Sequence, residues 1–307
     1  MSASIKFGTD GWRAIIAEDF SFLNVSYCAQ GVADYIKAIS STNRGLIVGY
    51  DTRFSSDRFA ACTAEVFAGN DLPTMLCDRP TPTPVITYHV LDKHAAGAGI
   101  ITASHNPPEW NGFKFKPDYA GSASSEIIAL IESRIAQAQT RVPSKIRLSD
   151  ALSSGIITLF DPRKTYIDHI SEIVDLDSLK HSGFRISIDA MHGAGAEYLP
   201  SILTSSHGSI TELRGDPNPA FPGMHQPEPI AQNLSILSNH VIASNSDIGI
   251  AYDGDADRLG IIDEHGRYLS TLQVFAILAL YMLEVRGERG PIVKSLTSSS
   301  MISKLGK

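Results

Sequence analysis

Long apolar runs are missing from this sequence. The longest, Val274 to Val285, is broken by Glu284 and is too short to cross a bilayer, so it reads as a buried helix. The first residues, MSASIKFGTDGWRA, hold no apolar h-region, and no secretory signal is expected there. Positive charge is in deficit as well: 26 Lys and Arg against 33 Asp and Glu leave a net charge of −7. That balance offers no footprint for nucleic acid or an anionic membrane, so a phosphorylated ligand would have to be drawn by a local cluster of cations. Cysteine is scarce: Cys28, Cys62 and Cys77 are odd in number and lack metal-ligand spacing, which fits a reducing cytoplasm. Apolar matter is sufficient for more than one core, since 43% of the 307 residues are hydrophobic, and the length suggests about two ordinary domains.

Strand and helix signals alternate along the chain. Helical spacing over 22–39, 57–67, 85–91 and 124–137 is interleaved with short apolar runs over 45–50, 74–77 and 99–102, with Ser55, Ser56 or Asp57 as the cap of the second helix. The pattern predicts an α/β fold with a mainly parallel sheet covered on both faces. Residues 138–154, with Pro143 and no clear period, read as a linker. A second, similar unit follows, with helices over 160–174, 197–203 and 231–243 and strands over 184–189, 209–213 and 247–252. Arg214 to Pro229 carries five prolines and reads as a long loop. A hairpin over 260–269, a helix over 272–283, a strand over 291–296 and a helix from 299 complete the series.

The stretch Gly99 to Lys116, GIITASHNPPEWNGFKFK, organises the rest. A β-branched apolar run delivers Ser104 to a loop stiffened by Pro107 and Pro108, Asn111-Gly112 signals a turn, and Phe113 to Lys116 alternates as a returning strand with Lys114 and Lys116 on one face. A serine nucleophile needs a nearby base, and a phosphorylated serine needs nearby cations; His105, Lys114 and Lys116 are the candidates. The adjacent Ser104 and His105 do not imply a hydrolase triad, because neighbouring side chains on an extended segment diverge and no G-x-S-x-G elbow is present. Asp51 and Arg53 read as a structural pair.

A second chemical centre lies at Asp253-Gly254-Asp255-Ala256-Asp257-Arg258, directly after an apolar strand. Extended geometry would put the aspartates on one side, where clustered anions repel unless a hard divalent cation joins them. A calcium-binding EF-hand loop is the rival, with Glu264 in the twelfth position, but Arg258 stands where that loop needs glycine and Leu259 to Ile262 reads as strand. Oxygen ligands with open positions favour magnesium.

The serine stretch resembles the active-site loop of the α-D-phosphohexomutases, the phosphoglucomutase and phosphomannomutase family. Phe7-Gly8-Thr9-Asp10-Gly11-Trp12-Arg13 is similar to the family's FGTDG-x-R segment, and the acidic loop to its metal-binding DGD-x-DR motif. The resemblance implies tandem α/β domains: a phosphoserine domain over 1–145, a metal-binding domain over 155–260, and the incomplete start of a third over 261–307, with the fourth domain absent. It implies Mg2+ held by Ser104, Asp253, Asp255 and Asp257, with Lys114 as general acid or base, His105 as a second proton carrier, and Arg13 and Arg258 around the phosphoserine. A lysine acting as base would need a lowered pKa. The implied reaction interconverts hexose 1-phosphate and hexose 6-phosphate of glucose or mannose through a bisphosphorylated sugar, with glucose 1,6-bisphosphate or its mannose equivalent as activator. The implied partner is a phosphorylated hexose, with no nucleic acid and no membrane, and the location is the cytoplasm. The family's sugar-recognition loop, G-E-x-S-G-H, is matched only in its first two letters by Gly287-Glu288-Arg289-Gly290, which reads as a charged turn. A carboxy-terminally truncated chain of this kind is expected to be weak or inactive alone and to self-associate through its unfinished third domain. The alternatives are a phosphorylatable, metal-binding module without catalysis and a phosphoglucosamine mutase fragment, the latter disfavoured by Trp110-Asn111-Gly112-Phe113.

Overall fold

The computed structural model describes residues 5–8, 10–203 and 208–306. The first unit contains β1 (Trp12–Ile15), α1 (Phe22–Ala38), β2 (Leu46–Tyr50), α2 (Ser56–Ala68), β3 (Thr74–Cys77), α3 (Thr83–Asp92), β4 (Gly97–Ile101), β5 (Trp110–Pro117), α4 (Ser125–Ala138), α5 (Leu148–Ser154) and β6 (Ile157–Phe160). Its strands form one sheet in the order β1-β5-β4-β2-β3-β6. The β4, β2, β3 and β6 strands run parallel, whereas β5 is antiparallel to both β4 and β1. Period-2 burial explains the layers. Leu46 and Val48 face a core shared with α1, α2 and α4, while Ile47 and Ile100 face a smaller one under α3 at Ile86 and Val90. At the strand ends the caps follow local chemistry: Ser21 and Ser124 accept the backbone N–H of Asn24 and Ile127 at the starts of α1 and α4.

The second unit contains α6 (Arg163–Ile173), α7 (Leu176–His181), β7 (Arg185–Asp189), α8 (Tyr198–Leu203), β8 (Ser209–Leu213), α9 (Ser235–Ser244), β9 (Ile248–Tyr252), β10 (Leu259–Asp263) and β11 (Tyr268–Leu269). Its sheet has the order β11-β10-β9-β7-β8, parallel at β9-β7-β8 and antiparallel beyond. Leu237 and Val241 of α9 cover one face; Ile202 and Leu203 of α8 cover the other with Leu176 of α7. A last segment holds α10 (Thr271–Leu280) and α11 (Ser300–Leu305). No helix among the described residues is long and apolar enough to cross a membrane.

Several expectations need correction. The predicted linker contains α5, and β6 pairs with β3, so the first sheet draws on residues as far as Phe160. The predicted helix over 160–174 starts only at Arg163 because Phe160 belongs to that edge strand. Asn111-Gly112 is no turn: both lie inside β5, opposite Ala14 and Arg13 of β1. A Cβ at Gly112 would meet Thr102 O at 2.4 Å and Trp12 O at 2.9 Å, so the glycine is there for the close approach of flanking strands. Residues 291–296 form no strand, because no partner edge exists for them among the described residues; Val293 is 88% and Leu296 99% exposed. The helix expected to reach 283 leaves α geometry after Leu280 and passes into a π-helical turn at Tyr281–Val285. Ile277 and Leu278 on α10 are exposed.

Candidate active site

Ser104 sits beyond the carboxyl end of β4 and the aspartate loop beyond the carboxyl end of β9, the usual place for a site in an α/β sheet. The two units bring these ends together. Ser104 Oγ donates to Asp253 Oδ2 at 2.9 Å, across the two units. Gly254 passes so close to the serine loop that a Cβ there would meet Ser104 O at 2.5 Å. Thr83, at the start of α3, donates its hydroxyl to Asp255 Oδ2 at 2.7 Å and its N–H to Asp255 O at 2.9 Å. Thr52 Oγ1 donates to His192 O at 2.7 Å, a further stitch between the units.

The aspartates carry the expected juxtaposition. Asp253, Asp255 and Asp257 each present one carboxylate oxygen within 4.8 Å of the others. Asp253 Oδ1 accepts the N–H groups of Asp257 and Arg258 at 3.0 Å each, which fixes the loop's curvature. Burial, then Asp255 and Asp257, push the Asp253 carboxyl well above the usual carboxylate range. Burial also works to raise Asp255, but the Lys114 ammonium and the Thr83 hydroxyl outweigh it and bring that carboxyl down to about 2. Asp255 Oδ1 is buried with no hydrogen-bond partner. A buried orphan oxygen inside an all-oxygen cluster is what a hard divalent cation would satisfy, so the residues fit the ion that the sequence implies.

Lys114 is almost wholly buried, and its ammonium lies 2.9 Å from Asp255 Oδ2, 2.9 Å from Asp10 Oδ2 and 3.5 Å from Asp257 Oδ2. Lys116 Nζ donates to Asp10 Oδ1 at 2.7 Å, so the two lysines on one face of β5 converge on a single carboxylate. Burial pulls Lys114 down, but Asp255, Asp10 and Asp257 overcome it and hold the ammonium well above its ordinary value. The expected lowering of its pKa is thus reversed, because three carboxylates surround a cation that only desolvation opposes.

His105 also departs from expectation. Ser104 has a φ of 54°, so the segment is not extended there, and the two side chains do not diverge: His105 Nδ1 lies 3.2 Å from Ser104 Oγ. Burial, then Arg258, hold the imidazole below its usual value and so favour the neutral form. Arg13 Nη1 donates to Asn106 Oδ1 at 2.5 Å, and Arg258 Nη1 to Glu228 Oε1 at 3.0 Å. Arg53 Nε faces Asp51 Oδ2 at 3.3 Å inside the first unit, the structural pair read from the sequence. Sequence reasoning missed Asp10 and Thr83 as neighbours of the centre. Asp10 stands inside the FGTDG segment, which was the one available signal; Thr83 had none.

Comparison with known proteins decides the family. Residues 4–142 match the profile described as phosphoglucomutase/phosphomannomutase, alpha/beta/alpha domain I, and residues 164–266 match domain II of the same family. The chain belongs to the phosphoglucomutase/phosphomannomutase family. It is similar over its whole length to the crystal structure of a candidate phosphomannomutase from Thermus thermophilus, with a TM-score of 0.89, 32% identity and 67% of that chain covered. A phosphoglucomutase of Komagataeibacter xylinus is 28% identical over 99% of this chain and 58% of its own length. A protein named probable phosphoglucosamine mutase from Methanothermobacter thermautotrophicus is 31% identical over 94% of this chain and 64% of its own. The chain therefore spans about three-fifths of the length of these curated relatives.

Proposed function

We propose that this chain carries the phosphoryl-transfer centre of a phosphohexomutase acting on hexose 1- and 6-phosphates, with Ser104 as the phosphoryl carrier. The observation that bears most weight is the 2.9 Å hydrogen bond from Ser104 Oγ to Asp253, which joins a hydroxyl of the first unit to the carboxylate cluster of the second. Asp253, Asp255 and Asp257 would hold Mg2+ beside Ser104, and the ion when bound supplies positive charge to both the carboxylates and the phosphoryl oxygens.

The remaining chemistry belongs to the chain's own side chains. When a hexose bisphosphate loads the site, the Oγ–P bond of Ser104 forms as the sugar's O–P bond breaks. Neutral His105, in contact with Oγ, takes the hydroxyl proton. Lys114, held as an ammonium, supplies a proton to the sugar oxygen that is released. Donation back to the sugar runs the same steps in reverse. His105 and Lys114 are pushed to opposite protonation states by their surroundings, which is the separation that acid–base partners need. Arg13 and Arg258 flank the loop with positive charge for the phosphoryl group. Hexose phosphate is the partner class, and glucose 1,6-bisphosphate the activator.

The test is chemical. Incubated with glucose 1,6-bisphosphate and Mg2+, the chain is expected to gain one phosphoryl group, mapped to Ser104 by intact mass and peptide fragmentation. A chain that gains none, or gains it elsewhere, ends the proposal. Turnover of glucose 1-phosphate in a coupled assay is expected to be weaker than loading, because remote binding contacts supply much of the catalysis in such reactions.

The metal has its own readout. At a hundredfold excess over its dissociation constant Mg2+ adds about 2.7 kcal/mol of stability, which for a chain of this size raises the melting midpoint by about 4 °C. The sign with pH follows from Asp253. An acid whose folded pKa is raised costs stability once pH exceeds its unfolded value, and the ion relieves that cost only where the proton has left. The Mg2+-induced rise is therefore expected to shrink as pH falls through the elevated Asp253 value, and to vanish in Asp255→Asn at neutral pH. Differential scanning fluorimetry checks both; an equal rise in Asp255→Asn would place the ion elsewhere.

A further inference from the structure

Ser104 is a non-glycine residue in the left-handed region, with φ at 54°, and such a conformation persists only where the surroundings over-determine it. Thr102 Oγ1 accepts the Ser104 N–H at 2.8 Å, and one further side chain gathers the carbonyls of the loop. Arg53 lies buried beneath the serine loop and donates to four of its carbonyls: Nη2 to Ser104 O at 2.8 Å and Asn106 O at 2.5 Å, Nη1 to Pro107 O at 2.8 Å and Trp110 O at 2.9 Å. Asp51 faces its Nε, and Asp51 is held in turn by the Ser56 hydroxyl at 2.8 Å and by the Arg53 N–H at 2.9 Å. Guanidinium geometry is essential to this arrangement, because an ammonium cannot reach four fixed acceptors in a plane.

The guanidinium face is covered from the other unit. Phe221, fully buried, places its ring centroid 5.2 Å from the Arg53 Cζ. It is carried by the five-proline loop over 214–229, whose backbone turns there at a φ of 44°, with the Phe221 N–H donating to Asn218 O at 3.1 Å. The loop belongs to the same unit as the aspartates. Seating that unit therefore does two things at once: it brings Asp253 to Ser104 Oγ, and it caps the arginine that shapes the Ser104 backbone.

We propose that Phe221 is a positioning residue that acts through Arg53, so that the serine loop takes its strained, transfer-ready shape only when the second unit is docked. Its consequence for catalysis rests on Ser104 being the phosphoryl carrier; the structural coupling does not. The cation–π face, rather than bulk alone, carries the effect.

Phe221→Leu and Phe221→Met keep most of the apolar volume and remove the ring. Both are expected to unfold close to the parent midpoint, yet to speed hydrogen exchange about tenfold at the amides of Ser104, Asn106 and Trp110, leaving amides of the distant strands unchanged. Phosphoryl uptake from glucose 1,6-bisphosphate at saturating donor is expected to fall about tenfold with little change in the half-saturating concentration, since the loop's shape matters to the reacting geometry more than to donor binding. In an Arg53→Lys background the same substitutions are expected to add nothing, because no guanidinium remains to be placed. Exchange at the serine loop that stays at the parent rate in both variants overturns the proposal. So does a lowered midpoint with exchange raised throughout, which is the signature of a plain core residue, and so does full additivity with Arg53→Lys. A parent chain that takes up no phosphoryl group would overturn the Ser104 reading instead, while the exchange comparison still decides the coupling.

Discussion

Ser104→Ala is expected to abolish phosphoryl uptake, with any residual sugar phosphate turnover lowered on the order of 10⁴–10⁶-fold, the range seen when a covalent nucleophile is deleted. The fold should survive. Alanine keeps the Cβ and the same left-handed backbone, and the Oγ bonds lost are those to Asp253 and His105. Asp253 retains two backbone N–H donors on Oδ1, so the stability cost should be about 1–2 kcal/mol. Mg2+ should still raise the melting midpoint of this variant, because the three aspartates are untouched. The decisive measurement is intact mass after incubation with glucose 1,6-bisphosphate, read beside the Mg2+ shift. A Ser104→Ala chain that still gains a phosphoryl group would move the carrier to another residue.

The second large effect is at Lys114. Its ammonium neutralises Asp10, Asp255 and Asp257 from a buried position, so Lys114→Met leaves the buried Asp255 without its cation, while Asp10 keeps Lys116 and Asp257 stays within reach of water. The expected loss is about 3–5 kcal/mol in the metal-free chain, partly recovered by Mg2+. Phosphoryl uptake should fall by about 10²–10⁴-fold, the usual contribution of a positioned acid. Lys114→Arg separates the two roles. It keeps the cation and should keep most of the stability, but a guanidinium does not give up its proton, so uptake should stay low. Chemical denaturation and the phosphoryl-uptake rate check the pair of variants. Parent-like uptake by Lys114→Arg would show that Lys114 acts by charge alone and that the proton comes from another group.

The site was legible where residue type and strand-end position coincide. Ser104 and the aspartates announced themselves because a short apolar run leads straight into each, and a strand that ends in such a loop has few places to send it. Lys114 was legible from the alternation along β5. Its protonation was not, since that depends on Asp10 arriving from the amino-terminal segment and Asp255 from the other unit. His105 was misjudged for a related reason. The divergence of neighbouring side chains assumed an extended backbone, and the left-handed turn at Ser104 is held by Arg53, which lies 51 positions away in sequence. The π-helical turn at Tyr281–Val285 and the missing strand over 291–296 show the limit for secondary structure: an apolar run becomes a strand only when another edge accepts its N–H and C=O groups.

By itself the sequence determined the alternating α/β pattern, the family to which its motifs point, the serine hydroxyl and the carboxylate trio, because these rest on local periodicity and on chemistry carried by single residue types. The tertiary structure alone decided that Asn111 and Gly112 continue a strand, that Phe160 closes the first sheet, and that three carboxylates surround the Lys114 ammonium and raise its pKa while burial and Arg258 lower that of His105. It also decided that Phe221 lies on Arg53. Each of these depends on which groups meet across long separations, and burial makes such meetings dominate: out of water, the partner a charge or carbonyl finds outweighs anything its own neighbours in sequence prefer.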